Sequence, residues 1–246
     1  MKIEVLGSVS PIVTESNNCP GYLVDDNLLL DIGSGVNRYL DLPNLLNDLN
    51  IIITHLHKDH YLDLYGIIYL AKEKVKNGES VNMNVYLPRT PKHIVDDIKE
   101  ECEDFIKVNV YDENTKLNID NKEIDFIEVK HSDSLLSYAI RVKENNKVLI
   151  YTGDTSNRSK EKLISFSMNS DLMIVDAKFL RKNKVYNNSY HLTSYEASVI
   201  AKEANTKKLL LTHLPSLLDD KDLYLEEAKE NFHEVLICEA KMIIKL

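Results

Sequence analysis

The 246-residue sequence is poor in cysteine: its three thiols, Cys19, Cys102 and Cys238, are widely spaced and odd in number. They form neither a disulfide framework nor a CxxC metal knuckle, so a buried core has to hold the fold. Cys102 and Cys238 read as ordinary buried thiols, whereas Cys19 lies near a loop expected to border a site. Long apolar runs are missing too, and nothing approaches the ~18 residues that a membrane span needs. The N-terminus opens directly on Lys2-Ile-Glu-Val-Leu6, a strand pattern without the apolar region and small-residue cleavage site of a secretory leader. These features set the expectation of a cytoplasmic protein with no membrane partner. A clustered basic footprint is also lacking. Lys and Arg number 30 against 39 Asp and Glu, for a net charge of −9, and a long nucleic-acid partner is not expected. The pairs Lys207-Lys208 and Arg181-Lys182 read as solvated surface.

No repeat, low-complexity tract or linker divides the chain, and the expectation is one domain over 1–246. With 43% hydrophobic and 28% charged residues the profile is that of a globular core with a solvated surface. A chain of this length can bury most of its potential surface. Strand patterns fall at 2–6, 22–24, 28–31, 51–54, 81–87, 122–129, 138–142, 148–152, 172–176, 209–212, 234–237 and 242–245. Helical periodicity falls at 62–75, 91–101, 160–166, 194–204 and 223–231. Thr90 is expected to cap the second of these helices, with Pro91 in its first turn. Thr193 with Glu196 three residues on reads as a capping box for the fourth. The first half looks like a meander and the second adds strand–helix alternation. Two sheets covered by helices would use all these faces, although a doubly wound sheet uses them as well.

The sharpest motif is Thr54-His55-Leu-His57-Lys-Asp59-His60, directly after the apolar run Ile51-Ile52-Ile53. Four potential ligands stand within six residues at a strand end, and imidazole with carboxylate suits zinc, manganese or iron. His131 follows a strand, His213 ends another, and His191 stands just before a helix. Asp154 follows the strand Val148-Leu-Ile-Tyr-Thr-Gly153; alone, it could merely cap Thr155 or Ser156. His93 and His233 have polar helical surroundings and read as surface residues.

The order HxHxDH, then His, Asp and His, resembles the metallo-β-lactamase superfamily. Leu30-Asp31-Ile-Gly-Ser-Gly35 and Tyr151-Thr-Gly-Asp-Thr155 resemble two further segments of that family, and the likeness runs over nearly the whole chain. It implies an α+β fold, an αββα sandwich of two mixed sheets flanked by helices. Carried over position by position, it implies that His55, His57 and His131 hold one divalent ion. Asp59, His60 and His213 would hold a second, with Asp154 between them. The ions expected are zinc, with manganese or iron as substitutes, and a hydroxide they share would be the nucleophile. Asp59 and His191 are the candidate catalytic groups.

His191-Leu-Thr-Ser-Tyr-Glu-Ala197 resembles the ribonuclease Z and cyclic-phosphodiesterase branch, in which a histidine before this helix meets the scissile phosphate. The alternative role of His191 is to cap its own helix. Tyr190 departs from the glycine more usual at its position. Members of the branch that process transfer RNA carry a long gripping insertion between the third histidine and the aspartate. Here His131 and Asp154 are only 23 residues apart, and two strand patterns fill the interval. The expected activity is therefore hydrolysis of a small, even cyclic, phosphodiester. Rival readings are a lactone or thioester hydrolase of the same fold, a redox protein, and a metal-binding module without catalysis. Redox relatives carry Glu where this chain has His57, and no second domain is present for flavin. Loop residues 8–19 are expected to border the site. Relatives are often dimers, so a homodimer is the expected assembly by analogy.

Overall fold

The computed structural model describes residues 1–183, 190–217 and 220–246. The chain divides into two compact units, Met1–Tyr111 with Glu239–Lys245, and Asp112–Cys238 with Leu246.

A seven-stranded mixed sheet organises the first unit. Its spatial order is Ile243–Lys245, Lys2–Gly7, Gly21–Val24, Leu28–Leu30, Leu49–Ile52, Met83–Pro88 and Ile106–Tyr111. The first four strands pair antiparallel and the last four pair parallel. Parallel neighbours need a crossover rather than a hairpin, and the helices Leu64–Lys76 and Lys92–Cys102 supply two of them. The strands Leu28–Leu30 and Leu49–Ile52 are buried at every residue, Asn50 included, so Leu28–Leu30 and the run Ile51–Ile53 read as unbroken apolar stretches rather than alternating ones. Helix Leu64–Lys76 turns Leu64, Ile67, Ile68 and Ala71 into the core, the spacing of one helical face. Each such leucine or isoleucine contributes about 1.5–3 kcal/mol by leaving water.

The second unit repeats this plan. Its sheet runs Val235–Ile237, Leu209–Thr212, Leu172–Asp176, Lys147–Tyr151, Ser137–Glu144, Lys122–Val129 and Lys116–Ile119. Three parallel pairings are followed by three antiparallel ones. Lys160–Ser167, Ser194–Glu203 and Asp222–Lys229 are its helices. Leu163, Ala197, Ile200, Ala201 and Ala228 pack from them onto Met173, Val175, Leu209 and Leu211.

Both halves therefore combine a meander with strand–helix alternation, which corrects the uneven division expected from the pattern. A structural repeat is present without a sequence repeat. Among the described residues the strands Ile106–Tyr111 and Lys116–Ile119, and the two-residue strands Val9–Ser10 and Leu214–Pro215, have no counterpart among the expected elements. Thr193 caps its helix as expected, and the reciprocal bond from Glu196 completes the capping box. Thr90 does not cap its helix: Pro91 occupies the cap position, with no side-chain bond. Among the described residues no helix is long and apolar enough to cross a membrane. His93 and His233 are exposed as expected, and all three cysteines are buried.

Candidate metal centre

In the first unit, the strand Leu49–Ile52 delivers the chain into residues 53–57, and the four-residue helix Lys58–Tyr61 follows at once. One helical turn thus carries both Asp59 and His60. His55 and His60 are fully buried. The Nε2 of His55 lies 3.0 Å from the Nδ1 of His57, and the rings of His55 and His60 have centroids 4.1 Å apart. Gly33 sits beneath this turn: a Cβ there would meet the Asp59 carbonyl at 2.0 Å, and the amide of Ile32 donates to the His60 carbonyl at 2.8 Å. This close approach explains Gly33, the first of the two glycines in the segment Leu30–Gly35.

Three of these ligand candidates, His60, His55 and Asp59, have an outer partner. Asp31 Oδ2 accepts from His60 Nδ1 at 2.7 Å. The Thr54 hydroxyl stands 3.1 Å from His55 Nδ1. Ser10 donates to Asp59 Oδ2 at 2.8 Å, so the loop of residues 8–19 reaches this group as expected. Cys19 also belongs to that loop, but burial, with the Asp59 charge adding to it, pushes its thiol up to about 11.

In the second unit the candidates sit at separate strand exits. His131 follows Lys122–Val129, Asp154 follows Lys147–Tyr151, His213 follows Leu209–Thr212, and His191 precedes the helix Ser194–Glu203. The structure brings all four together. His213 Nε2 and His131 Nε2 lie 3.2 and 3.6 Å from Asp154 Oδ2. The His191 ring stacks on His213 with centroids 5.0 Å apart and meets His131 edge-on at 4.8 Å. Asp154, His191 and His213 offer donor atoms within 4.8 Å of one another.

Asp154 does not act as a turn cap. The amide of Thr155 donates to Asp176 and that of Ser156 to the Lys130 carbonyl. Nor does His191 cap its helix, a task that Thr193 performs. Instead His191 Nδ1 bonds Asp176 Oδ2 at 2.8 Å. His131 Nδ1 lies 2.7 Å from the Tyr190 carbonyl, a bond in which nitrogen must donate. That tautomer turns the Nε2 lone pair toward Asp154. Burial, reinforced by the neighbouring His191, holds His131 below the ordinary imidazole range even though Asp154 opposes the shift. Neutral imidazole is the form that binds metal.

Three groups escaped the sequence reading. Asp176 is fully buried, and burial with repulsion from Asp154 pushes its carboxyl above the usual carboxylate range. It ends an all-buried strand, Leu172–Asp176, and a carboxylate in that position was the available signal. Asp31 ends the run Leu28-Leu-Leu30 in the same way. The Tyr190 carbonyl left no signal, because any residue carries one.

Donor spacing tests whether these residues suit a cation. Two ligands about 2.0–2.1 Å from one tetrahedral zinc stand about 3.3 Å apart. The pairs at 3.0, 3.2 and 3.6 Å bracket that separation. The buried clusters are made of imidazole and carboxylate and suit a divalent metal. Backbone geometry agrees with a built site: Asp31, Gly153 and His213, each just beyond a strand, have φ of 58°, 54° and 61°. For Asp31 and His213 this left-handed conformation costs on the order of 1–2 kcal/mol.

Comparison with known proteins agrees with this chemistry. A family model described as a beta-lactamase superfamily domain matches residues 27–214. A ribonuclease Z from Archaeoglobus fulgidus is 26% identical over 308 residues, covering 100% of this chain and 97% of that protein. The probable metallo-hydrolase YhfI of Bacillus subtilis is 29% identical over 228 residues, covering 87% of each. The crystal structure of YhfI superposes with a TM-score of 0.87 at 26% identity, over 99% of this chain and 98% of that one. A diphosphatase of the PhnP family superposes at 0.72 and 16% identity, over 100% and 97%, and shares the fold. Two mixed sheets flanked by helices, buried His and Asp clusters, and a family match over more than half of its length place this chain in the metallo-β-lactamase superfamily, as a metallo-hydrolase of that fold.

Proposed function

We propose that the chain is a binuclear phosphodiesterase for a small substrate, and that its two units work as a single hydrolase domain. In this reading His55, His57 and His131 hold one divalent ion, Asp59, His60 and His213 hold the other, and Asp154 is shared by both. Zinc is the preferred metal. Bound there, the pair supplies an activated water and neutralises charge on the phosphoryl oxygens.

The residues do the rest. Asp59, whose Oδ2 accepts from Ser10, would hold its ion through a carboxylate oxygen. Asp176 accepts from His191 Nδ1 and favours the protonated ring, leaving Nε2–H to donate to a departing alkoxide. The observation that carries the phosphodiester reading is this His191–Asp176 pair, 2.8 Å across and beside the ligand carboxylate Asp154. An alkoxide leaving group needs a proton, and a positioned imidazolium supplies one.

The names of relatives, ribonuclease Z and a diphosphatase of the PhnP family, support phosphoester chemistry. The small-substrate reading is supported by the interval between His131 and Asp154, which is occupied by the strands Ser137–Glu144 and Lys147–Tyr151 joined by a two-residue turn. That connection leaves no arm in this interval for gripping a long RNA.

The test is a comparison of turnover on a 2′,3′-cyclic nucleotide, a simple lactone and a precursor tRNA, with the same zinc-loaded preparation. The cyclic phosphodiester should be cleaved best. Faster lactone opening would transfer the reading to carboxylic esters. Efficient tRNA processing at physiological salt would overturn the small-substrate assignment.

A further inference from the structure

Asp31 is fully buried, has the left-handed φ of 58°, and is not among the residues expected to touch metal or substrate. Burying a carboxylate is expensive unless donors surround it. Its donors are specific. Oδ1 accepts the Thr54 amide at 2.7 Å, while Oδ2 takes the Thr54 hydroxyl at 2.9 Å and faces His60 Nδ1 at 2.7 Å.

Counting protons along this chain of bonds fixes two rings at once. A carboxylate oxygen only accepts, so His60 Nδ1 must carry the hydrogen and Nε2 is left as a lone pair. The single hydrogen of the Thr54 hydroxyl is spent on Asp31. Toward His55 Nδ1, at 3.1 Å, that hydroxyl can only accept, so His55 also carries its hydrogen on Nδ1 and keeps the Nε2 lone pair. Both rings are thereby held in the tautomer that binds metal through Nε2.

We propose that Asp31 and Thr54 form one positioning unit, which sets the tautomers of His55 and His60 together and couples the affinities of the two metal positions. The coupling rests on the proposed function, because it requires His55 and His60 to serve different ions.

The two residues act unequally. In Asp31→Asn the amide oxygen stays with the Thr54 amide, which turns Nδ2 toward His60 and the Thr54 hydroxyl. That nitrogen donates where the carboxylate accepted. His60 is driven to the opposite tautomer, and the Thr54 hydroxyl, now accepting from the amide, turns its own hydrogen onto His55. Both ions should then bind roughly 10–100-fold more weakly, the usual cost of losing an outer partner. Thr54→Val removes the link to His55 and the hydroxyl's bond to Asp31 but leaves the Asp31–His60 bond in place, so the ion on His55 should weaken and the ion on His60 should keep most of its affinity. Thr54→Ser restores the hydroxyl and should bind as the wild type does.

The experiment pairs zinc titration against a competing chelator with imidazole nitrogen-15 NMR of the metal-free full-length chain, run for wild type and all three variants. Metal-free melting temperatures report any purely structural loss. Wild type should show Nδ1–H on His55 and His60, and the variants should divide as both ions, one ion and none. Wild-type affinities in Asp31→Asn, or Nε2–H tautomers in wild type, would overturn the proposal. Should Asp31→Asn fail to fold, Thr54→Val against Thr54→Ser decides it: equal affinities for both ions sink the coupling. A wild type that binds fewer than two ions would defeat the proposed function instead, while the NMR spectrum still tests the tautomers.

Discussion

The two units share a plan of three parallel and three antiparallel pairings, yet they assemble their own groups of candidate ligands differently. The first places His55, His57, Asp59 and His60 on one strand exit and one helical turn. The second draws His131, Asp154, Asp176, His191 and His213 from five places in the chain and ties them through long-range bonds, such as His131 to the Tyr190 carbonyl. The difference is one of origin. Local chain geometry makes the first group, and the completed sheet makes the second. A contiguous group survives modest loss of packing around it, whereas a dispersed one depends on every strand end staying in register.

The largest expected effect comes from the carboxylate that both ions are proposed to share. Asp154→Ala should lower metal content in both positions and reduce turnover by roughly 10³-fold or more, on the scale of losing a central electrostatic group. Metal analysis together with steady-state rates checks it. Two retained ions and near-normal turnover would return Asp154 to a structural role.

Next comes the pair found only in the second unit. His191→Ala should keep both ions but slow an alkyl phosphodiester by roughly 10²–10⁴-fold. A nitrophenyl ester should lose far less, since its leaving group scarcely needs a proton. Asp176→Asn should follow the same pattern more weakly. Equal losses on the two substrates would remove the proton-donor role.

What the sequence made legible follows the same division. The contiguous ligands are visible because four donors in six residues after an apolar run are hard to arrange by chance. His131, Asp154, His191 and His213 are visible only as residues at element ends, and a resemblance to a family was needed to assign them. Asp176 and Asp31 were not seen as site residues, because a carboxylate closing a buried strand looks like the start of any loop. The same physics explains the strands that escaped. Ile106–Tyr111 and Lys116–Ile119 are sheet edges, and their exposed Lys107, Asn109, Lys116 and Asn118 break the continuous apolar run that marks interior strands. Central strands such as Leu209–Thr212 were recovered residue for residue.

A smaller effect sharpens the comparison of the units directly. Ile51→Ala and Leu211→Ala each remove a fully buried side chain from a parallel strand beside ligands, and each should cost about 2–5 kcal/mol. If the second group depends on register, Leu211→Ala should also weaken metal binding, while Ile51→Ala should affect chiefly stability. Chemical denaturation and zinc titration on the two variants read both quantities. Equal loss of affinity would erase the proposed distinction.

Smaller again is the cap of the helix that follows His191. Thr193→Ala should lower stability by about 0.5–2 kcal/mol and leave metal content unchanged, since Thr193 bonds Glu196 rather than a ligand. Thermal melts with metal analysis check this.

The central claim is that the contiguous and dispersed groups serve one binuclear centre. Manganese added stepwise to the metal-free protein tests it most directly, read by electron paramagnetic resonance. Ions about 3.5–4 Å apart, as in two-metal hydrolases, are expected to be magnetically coupled, so two equivalents should convert isolated-ion signals into those of a coupled pair. Asp154→Ala should abolish that coupling. Two uncoupled signals at saturation, or saturation at a single ion, would contradict the account.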